Sequence, residues 1–335
     1  MKSPESNITM NQFEPHQYTI ARGIGYQPEQ LTFRSADGGH MAYKRLFIDT
    51  PDGAKTYFIK GQDGSLFTDQ ERESHAQQYL KKEHMLFAYL RDSGYVHIPS
   101  ETGLIDDSFL IMEGLQKDAG WYWRAPRDDP ELFDRYMQSV LASFDDLQQV
   151  PIPGEEYFFP KRILKVYMDE GWDHLDSAHI SRVHTIASEL RSKLRPETET
   201  YLDEVMHTLP ELVPAGQALY DVAQPYYLSH HDARQANIAW HPEHGTRNID
   251  LSWMDIGFKN ADSTMLLIDL AKAGHNIQPY MEQYFNPGHA LLMMGHWLGR
   301  SAEPTRDGNP IVRLHQLASA VTAFSLLKNA QTIGL

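Results

Sequence analysis

Residues 230–240, HHDARQANIAW, hold two histidines, an aspartate, an arginine and an asparagine in their first eight positions. An aspartate can accept the proton of a hydroxyl, and an asparagine amide oxygen can hold a hard cation such as Mg²⁺. Asp232 and Asn237 are five residues apart, so one loop could direct both side chains to one centre. Asp255 ends the strand-like segment IDLSWMD and offers that cation a second oxygen ligand.

Two further charged residues occupy apolar positions, where an unpaired charge would destabilise the fold. Lys60 ends the strand-like segment TYFIK and shares a face with Phe58, and Glu83 lies in the apolar stripe of the next helix. A buried charge needs a partner, so one ion pair between Lys60 and Glu83 would account for both positions. The alternatives are a lysine that reaches water and a helix rotated so that Glu83 lies at the stripe's edge.

Periodicity and turn residues predict the elements that position these groups. Segments of alternating polarity separated by Asp-Gly and Gly-Gly turns predict three antiparallel strands in residues 31–60, and a helix follows. Residues 104–115 predict two more strands. After a hinge at residues 113–120 the chain is mostly helical, with Asp129 and Asp176 predicted to cap two of the helices, and the polar segment lies in a β-loop insert.

The order of these motifs resembles the aminoglycoside phosphotransferase and choline kinase branch of the protein-kinase-like fold. The H-x-D-x-x-x-x-N pattern at residues 230–237 resembles that family's catalytic loop, and residues 254–257 (MDIG) resemble its metal-binding D-x-G turn. Residues 268–271 (IDLA) resemble the Asp-Leu-Ala helix start that often follows. Residues 58–60 (FIK) resemble the third-strand lysine segment, with Glu83 as its helix partner.

The resemblance covers roughly residues 30–275 and implies a fold class. We expect an α+β, two-lobed protein-kinase-like fold, with a small antiparallel β-sheet and one helix in the N-lobe and a large, mainly helical C-lobe. The expected boundaries are a disordered tail at residues 1–15, a nucleotide-binding lobe at 16–115, and a catalytic and substrate lobe at 116–335.

The resemblance also implies ATP and Mg²⁺ as cofactors and assigns roles within the catalytic loop. Asp232 would orient and deprotonate the acceptor hydroxyl, while Asn237 and Asp255 would hold Mg²⁺. His230 would support the loop, with Asp269 anchoring it from below. Arg234 would neutralise charge developing on the γ-phosphate, the alternative being a structural ion pair. The loop departs from the family at His231, where small-molecule kinases usually carry glycine, and the segment HPEHGTRN makes the gap from Asn237 to Asp255 long.

The remaining implied contacts are with the nucleotide. Lys60, fixed by Glu83, would contact the α- and β-phosphates. Gly38 and Gly39 would cover the phosphates, although the same residues also fit a simple hairpin turn. Residues 110–113 (LIME) resemble the strand that enters the adenine-binding hinge, so the backbones of Glu113 and Leu115 would contact adenine.

Residues 120–131, GWYWRAPRDDPE, suggest the class of acceptor. Aromatic faces beside carboxylates attract cations, which favours an amino alcohol, an amino sugar or an aminoglycoside-like acceptor. The alternative is that the rings pack inside the core and the aspartates cap the next helix. The candidate acceptor residues are Trp121, Tyr122, Trp123, Asp128 and Asp129.

Composition opposes several classes of partner. The 335 residues include 45 acidic and 30 basic ones, and the net charge of −15 disfavours a nucleic-acid polymer or an anionic membrane, which bind clustered Lys and Arg. The absence of cysteine excludes disulfides and thiolate zinc sites. No segment has the apolar length of a signal peptide or a membrane span, so we expect a cytoplasmic protein.

Three other functions fit parts of the sequence. A non-catalytic nucleotide-binding protein could share the fold, although the lysine, aspartate and metal positions are all filled. A protein acceptor is disfavoured because no Ala-Pro-Glu segment follows the D-x-G turn. A metal hydrolase would use the clustered imidazole and carboxylate groups, but no H-E-x-x-H motif is present. The ligands of that hydrolase would be His230, His231, Asp232, His241 and His244.

Overall fold

The structure is a computed structural model that describes residues 14–36, 43–51, 53, 55–62, 70–218, 226–304 and 311–330. The chain divides into two compact units, a first one of Met1–Tyr89 and Pro99–Ala119 and a second one of Leu90–Ile98 and Gly120–Leu335. Residues 1–13, most of the segment expected to be disordered, lie outside the described residues.

The first unit contains an antiparallel sheet with the strand order β1-β2-β3-β5-β4. Asp106 and Asp107 turn the β4–β5 hairpin, as the sequence predicts, with φ angles of 47° and 56°. Aspartate tolerates this left-handed conformation better than most residues. The strands are β1 (Thr32–Ser35), β2 (Tyr43–Asp49), β3 (Thr56–Gln62), β4 (Thr102–Ile105) and β5 (Phe109–Glu113).

Two helices accompany this sheet, and only one of them was predicted. Helix α2 (Gln70–Asp92) follows β3 as expected. Helix α1 (Pro15–Gly23) begins inside the segment expected to be a tail. It is held there because Ile20 and Ala21 are fully buried in the apolar core of the sheet.

The second unit is mainly helical, as predicted. Its largest core gathers apolar side chains from six helices around the fully buried Trp172. The predicted caps are confirmed: Asp129 accepts a hydrogen bond from Leu132 N and Asp176 from His179 N. The helices are α3 (Pro130–Gln149), α4 (Ile163–Asp169), α5 (Ser177–Leu190), α6 (Pro196–Ala218), α7 (Ala261–Ala273), α8 (Gln278–Tyr284), α9 (Pro287–Ser301) and α10 (Ile311–Asn329).

Four short strands interrupt the helices of this unit and carry the polar segment. Strand β6 (Tyr227–Ser229) pairs with β9 (Asp255–Gly257), and β7 (Ile238–His241) forms a hairpin with β8 (Gly245–Asn248). The loop that contains Asp232 therefore runs from β6 to β7. Because each of these strands is paired with a strand of its own, both ends of the loop are fixed. Within the described residues, no helix is both long and apolar enough to cross a membrane.

Candidate functional site

The charged pair predicted in the first unit is present. Lys60 Nζ lies 2.8 Å from Glu83 Oε2. Lys60 is 4% exposed and Glu83 is fully buried, so the two alternatives, a lysine in water and a helix rotated outwards, are wrong. Lys60 lies on the central strand β3, between Arg45 on β2 and Leu110 on β5, which places the pair in the rigid part of the sheet.

The other predicted nucleotide contacts are only partly described. Gly38 and Gly39 lie outside the described residues. Glu113 ends β5, and its carboxylate accepts hydrogen bonds of 2.8 Å from the backbone N–H and the hydroxyl of Ser100. The Glu113 N–H donates to Glu101 O, which leaves the carbonyl as the backbone group able to meet a base. Leu115 follows in the same unit and is buried.

The loop of the second unit begins with an unusual backbone conformation at His231. Its φ angle is 63°, in the left-handed region where glycine is the least strained residue. This conformation explains why a glycine is usual at this position and why a histidine there needs support. The support comes from the Asp262 carboxylate, which accepts hydrogen bonds from His230 N at 2.8 Å and from His231 N at 3.0 Å.

Two aspartates of helix α7 hold the loop, and the sequence analysis identified only one of them. Asp269 accepts hydrogen bonds from the backbone and side-chain nitrogens of Gln235, as expected of an anchor. Asp262, in the first turn of α7, holds the start of the loop and was missed. The two aspartates are seven residues apart, so they share one helix face, and this spacing was a signal that could have revealed Asp262.

His230 is positioned to support the loop. Its Nε2 lies 2.8 Å from the carbonyl of Ile249, and its Nδ1 accepts a hydrogen bond of 3.2 Å from Asp232 N. These partners require a neutral ring with its proton on Nε2. Both ring nitrogens are therefore engaged inside the protein, and His230 has no free nitrogen for a substrate proton.

Asp232 is held on two sides. Asn237 Nδ2 donates to Asp232 Oδ2 at 2.7 Å and to the Asp232 carbonyl at 2.9 Å, while Arg234 Nε lies 3.1 Å from Oδ1. Burial raises the pKa of Asp232 above its ordinary value, with the Asp250 charge adding to this rise and the Arg234 charge opposing it. Arg234 forms the ion pair named as its alternative role. The Oδ1 atom of Asn237 accepts no hydrogen bond from any described residue.

The environment of Asp255 does not suit a metal ligand. Its Oδ1 accepts hydrogen bonds from Arg162 Nη1 at 2.8 Å and from Ile256 N at 2.7 Å, and its Oδ2 accepts one from Ile163 N at 2.9 Å. Asp255 is fully buried, so both oxygens are already used within the protein. A cation there would have to displace the guanidinium of Arg162.

Asp250 is a second candidate ligand for the cation beside Asp255, the residue selected from the sequence. Asp250 Oδ1 accepts a hydrogen bond of 3.0 Å from the Ser252 hydroxyl. The Ile249 N–H donates to the Asn237 carbonyl at 3.1 Å, so the β7–β8 hairpin returns Asp250 beside Asn237. The backbone of Asp250 is left-handed, with φ at 59°, and the residue is partly exposed. Its charge acts on Asp232. With Asp250 as the second ligand, the sequence separation from Asn237 is shorter than the long separation to Asp255 noted in the sequence analysis.

Comparison with known proteins agrees with this geometry. Residues 52–290 match the model of APH, the phosphotransferase enzyme family. The chain belongs to this family. The match covers more than two thirds of the sequence and spans Lys60, Glu83 and the whole loop around Asp232. The family resemblance predicted from the motifs is therefore confirmed, whereas none of the curated proteins compared with the chain matches it significantly.

Solved structures of similar shape identify the fold of this APH-family chain. The structure of LicA in complex with AMP is similar with a TM-score of 0.51 and 12% identity, over 95% of this chain and 99% of that one. The ADP-bound aminoglycoside phosphotransferase APH(2'')-Ib is similar with a TM-score of 0.50 and 13% identity, over 93% and 99%. At these identities the likeness shows the fold alone, and the predicted protein-kinase-like α+β fold is confirmed.

The aromatic segment proposed for the acceptor of this APH-family chain has structural contacts. Trp121 is 6% exposed and packs against the ring of His241, at 5.4 Å between centroids, and against the guanidinium of Arg247. Tyr122 pairs with Trp240 through two backbone hydrogen bonds. Asp129 caps helix α3. Trp121 and Asp129 thus have the packing and capping roles named as alternatives, while Trp123 is half-buried and Asp128 is exposed.

The histidines of the hydrolase alternative do not converge. His230 and His231 each direct Nε2 to a backbone carbonyl, of Ile249 and Ile256 respectively. His241 and His244 lie together beside Trp121 instead. In the described part of the chain these residues form no group with metal-binding geometry. The structure therefore gives the hydrolase alternative no support in this APH-family chain.

Buried neutral histidines pack behind the loop that contains Asp232. The Tyr167 hydroxyl donates to the carbonyl of His231, and the His231 ring packs against Tyr167 and His289. Burial lowers the pKa of His289, and likewise that of His296, to about 3, and it also lowers the pKa of His231. The rings are therefore uncharged near neutral pH and act as apolar filling beneath the strained residue of the loop.

Proposed function

We propose that this protein is an ATP-dependent phosphotransferase that moves the γ-phosphate to a hydroxyl of a small molecule. The observation that carries this proposal is the carboxylate of Asp232, which is partly buried, has a raised pKa and is held between Asn237 and Arg234. A raised pKa brings a carboxylate closer to the range in which it can accept a proton from a reacting hydroxyl. Membership of the APH phosphotransferase family supports the reaction class.

The reaction we propose needs one proton transfer and one displacement. Asp232 accepts the proton of the acceptor hydroxyl as its oxygen forms a bond to the γ-phosphorus. The bond from the γ-phosphorus to the bridging oxygen breaks, and ADP leaves with that electron pair. Because Asn237 and Arg234 fix the carboxylate of Asp232, the base is oriented before the acceptor arrives.

Four residues of the chain are assigned to the nucleotide and its cation. Mg²⁺ would be held by Asn237 Oδ1 and Asp250, and when bound it would neutralise charge on the phosphates. Lys60, oriented by Glu83, is assigned to the phosphates as a point charge. Arg234 pairs with Asp232 and is half-exposed, so its guanidinium can also offer N–H groups to the transferred phosphoryl group.

A comparison of Asp250→Asn with Asp255→Asn tests the cation site. Asp250→Asn should lower kcat/KM by about 10²–10³-fold, because a charged ligand of the cation is lost. It should also raise the Mg²⁺ concentration that gives half-maximal nucleotide binding. Asp255→Asn removes the buried negative charge that pairs with Arg162, and it should lower the melting temperature while leaving that Mg²⁺ concentration unchanged. The reverse result, with Mg²⁺ dependence altered by Asp255→Asn alone, would restore Asp255 as the ligand.

Matched acceptors test the proposed function and the class of acceptor. We propose an amine-bearing alcohol or sugar, supported by the net charge of −15 and by the neighbouring carboxylates Asp232 and Asp250. Choline should give a kcat/KM at least about tenfold above that of its uncharged analogue 3,3-dimethylbutanol, and glucosamine should exceed glucose. ADP release with ATP and Mg²⁺ is the measurement. A preference for the neutral members would remove the electrostatic argument, and a full panel without stimulated ADP release would contradict the phosphotransferase assignment.

A further inference from the structure

A second group of metal-type ligands lies in the second unit and includes none of the residues assigned to phosphate transfer. It consists of His174, His179 and Glu303, whose ligating atoms all lie within 4.8 Å of one another. The group joins the turn before α5, the first turn of α5 and the chain just after α9. Of the described residues, these three form the one group of this kind.

The distances within the group match those of metal ligands. Glu303 Oε1 lies 3.6 Å from His174 Nε2 and 3.4 Å from His179 Nε2. Atoms bound tetrahedrally to Zn²⁺ at about 2.1 Å are about 3.4 Å apart, so little movement would be needed to seat the ion. The two imidazole rings are 3.7 Å apart between centroids, so one ion could contact a nitrogen of each ring.

A further carboxylate is placed to orient one of the ligands. Asp176 Oδ1 lies 3.4 Å from His179 Nδ1 and also accepts the His179 N–H as the cap of α5. Metal-binding histidines usually donate their second ring nitrogen to such a group, which fixes the tautomer and leaves Nε2 for the metal. Nε2 of His179 faces Glu303, as this arrangement requires.

The ligands stand on a rigid support. Trp172 is fully buried, its Nε1 donates to the Leu291 carbonyl at 2.9 Å, and the turn that it starts carries His174. The indole lies directly against Gly216 of α6 and Gly295 of α9, where any larger side chain would overlap it. The turn therefore cannot shift easily, and a site on fixed elements is better organised for a metal than one on a free loop.

We propose that His174, His179 and Glu303 bind one divalent transition-metal ion, with Zn²⁺ as the best match and water completing the coordination. Two imidazoles and one carboxylate suit Zn²⁺, whereas Mg²⁺ and Ca²⁺ prefer oxygen ligands throughout. The His174 side chain is 47% exposed and that of Glu303 is 34% exposed, so solvent and the ion can reach the site. The bound ion would connect three segments of the helical unit and stabilise it, independently of the proposed phosphotransferase function.

Zinc binding to the full-length protein tests the proposal. Protein treated with a chelator should bind one equivalent of Zn²⁺ in calorimetry. At a free concentration one hundred times Kd, the melting temperature should rise by roughly 5 °C, and excess EDTA should reverse the rise. His174→Gln and Glu303→Gln should each weaken Zn²⁺ binding at least about 100-fold. His184→Gln, on an exposed position of the same helix α5, is the matched control and should bind as the wild type does.

Two additional measurements test whether Zn²⁺ binds at these residues. Asp176→Asn keeps a capping side chain but loses the charge, so it should weaken Zn²⁺ binding by about 10–100-fold without a large loss of stability. Crystals of the wild type grown with Zn²⁺ should show anomalous scattering at these three residues, whatever the behaviour of the variants. An absence of one-equivalent binding, or equal binding by Glu303→Gln and His184→Gln, would reduce the cluster to hydrogen bonds between histidines and a carboxylate and overturn the proposal.

Discussion

Asp232→Asn is expected to lower kcat by about 10³-fold or more while the nucleotide affinity changes by less than about threefold. The amide has nearly the shape of the carboxylate and can keep a contact with Asn237, but it cannot accept the proton of a hydroxyl. The loss should therefore appear in the chemical step. Asp92→Asn is the matched control, because Asp92 is exposed at the end of α2 and outside the loop, and its kcat should equal that of the wild type. A variant Asp232→Asn with more than about one tenth of the wild-type kcat would exclude Asp232 as the base.

The pH profile offers a second measurement of the same group. Protonated Asp232 cannot act as a base, so kcat/KM should fall as the pH decreases through its pKa. Because burial raises this pKa, the fall should begin at a higher pH than for an ordinary aspartate. The Arg234 charge opposes the rise. Arg234→Gln should therefore move the acid limb to still higher pH, and a limb that stays in place would show that Arg234 does not act on Asp232.

The parts of the fold that the sequence predicts correctly are those set by local signals. The alternating segments that predict the first three strands correspond to β1, β2 and β3. Asp129 before Pro130 determines the start of α3 through a hydrogen bond to a residue only three positions away. The pairing of Lys60 with Glu83 is longer in range, but it is predictable because each charge lies at an apolar position and needs a partner.

The parts that the sequence does not reveal depend on distant partners. The tripeptide that begins at Asp255 resembles a metal-binding turn. Its carboxylate, however, accepts a hydrogen bond from Arg162, 93 residues earlier in the chain, and no local pattern indicates that contact. The resemblance of IDLA to a family helix start draws attention to Asp269 and away from Asp262. His179 and Glu303 are 124 residues apart, so their proximity follows only from the packing of α5 against α9.

Helix α1 was not predicted from the sequence for a different reason. Its segment follows a polar N-terminal stretch, and its apolar content is low, so it does not display the long apolar stripe by which a helix is usually predicted. What stabilises it is the burial of Ile20 and Ala21 against the sheet, together with a capping interaction between Glu14 and Gln17. A glutamate at the capping position is not among the usual signals, and the burial is visible only once the sheet has formed.

Breaking the buried pair of the first unit should have the largest effect on stability. Lys60→Met and Glu83→Gln are each expected to lower the free energy of unfolding by about 3–5 kcal/mol, because each leaves a buried group without its charged partner. The double variant should lose less than the sum of the two, since it removes both charges together. Urea unfolding of the four proteins measures this coupling.

The exposed pair Lys55–Glu101, in the same unit, is the matched control for this cycle. Both of its side chains are about half exposed, so Lys55→Met should change stability much less than Lys60→Met does. Lys60→Met should in addition weaken nucleotide binding if the proposed phosphate contact exists, whereas Lys55→Met should not. Equal losses of stability for Lys60→Met and Lys55→Met, or additive losses in the cycle, would show that the buried pair contributes no more than a surface one. The burial of Lys60 on the central strand, beside a fully buried carboxylate, argues for a strong coupling.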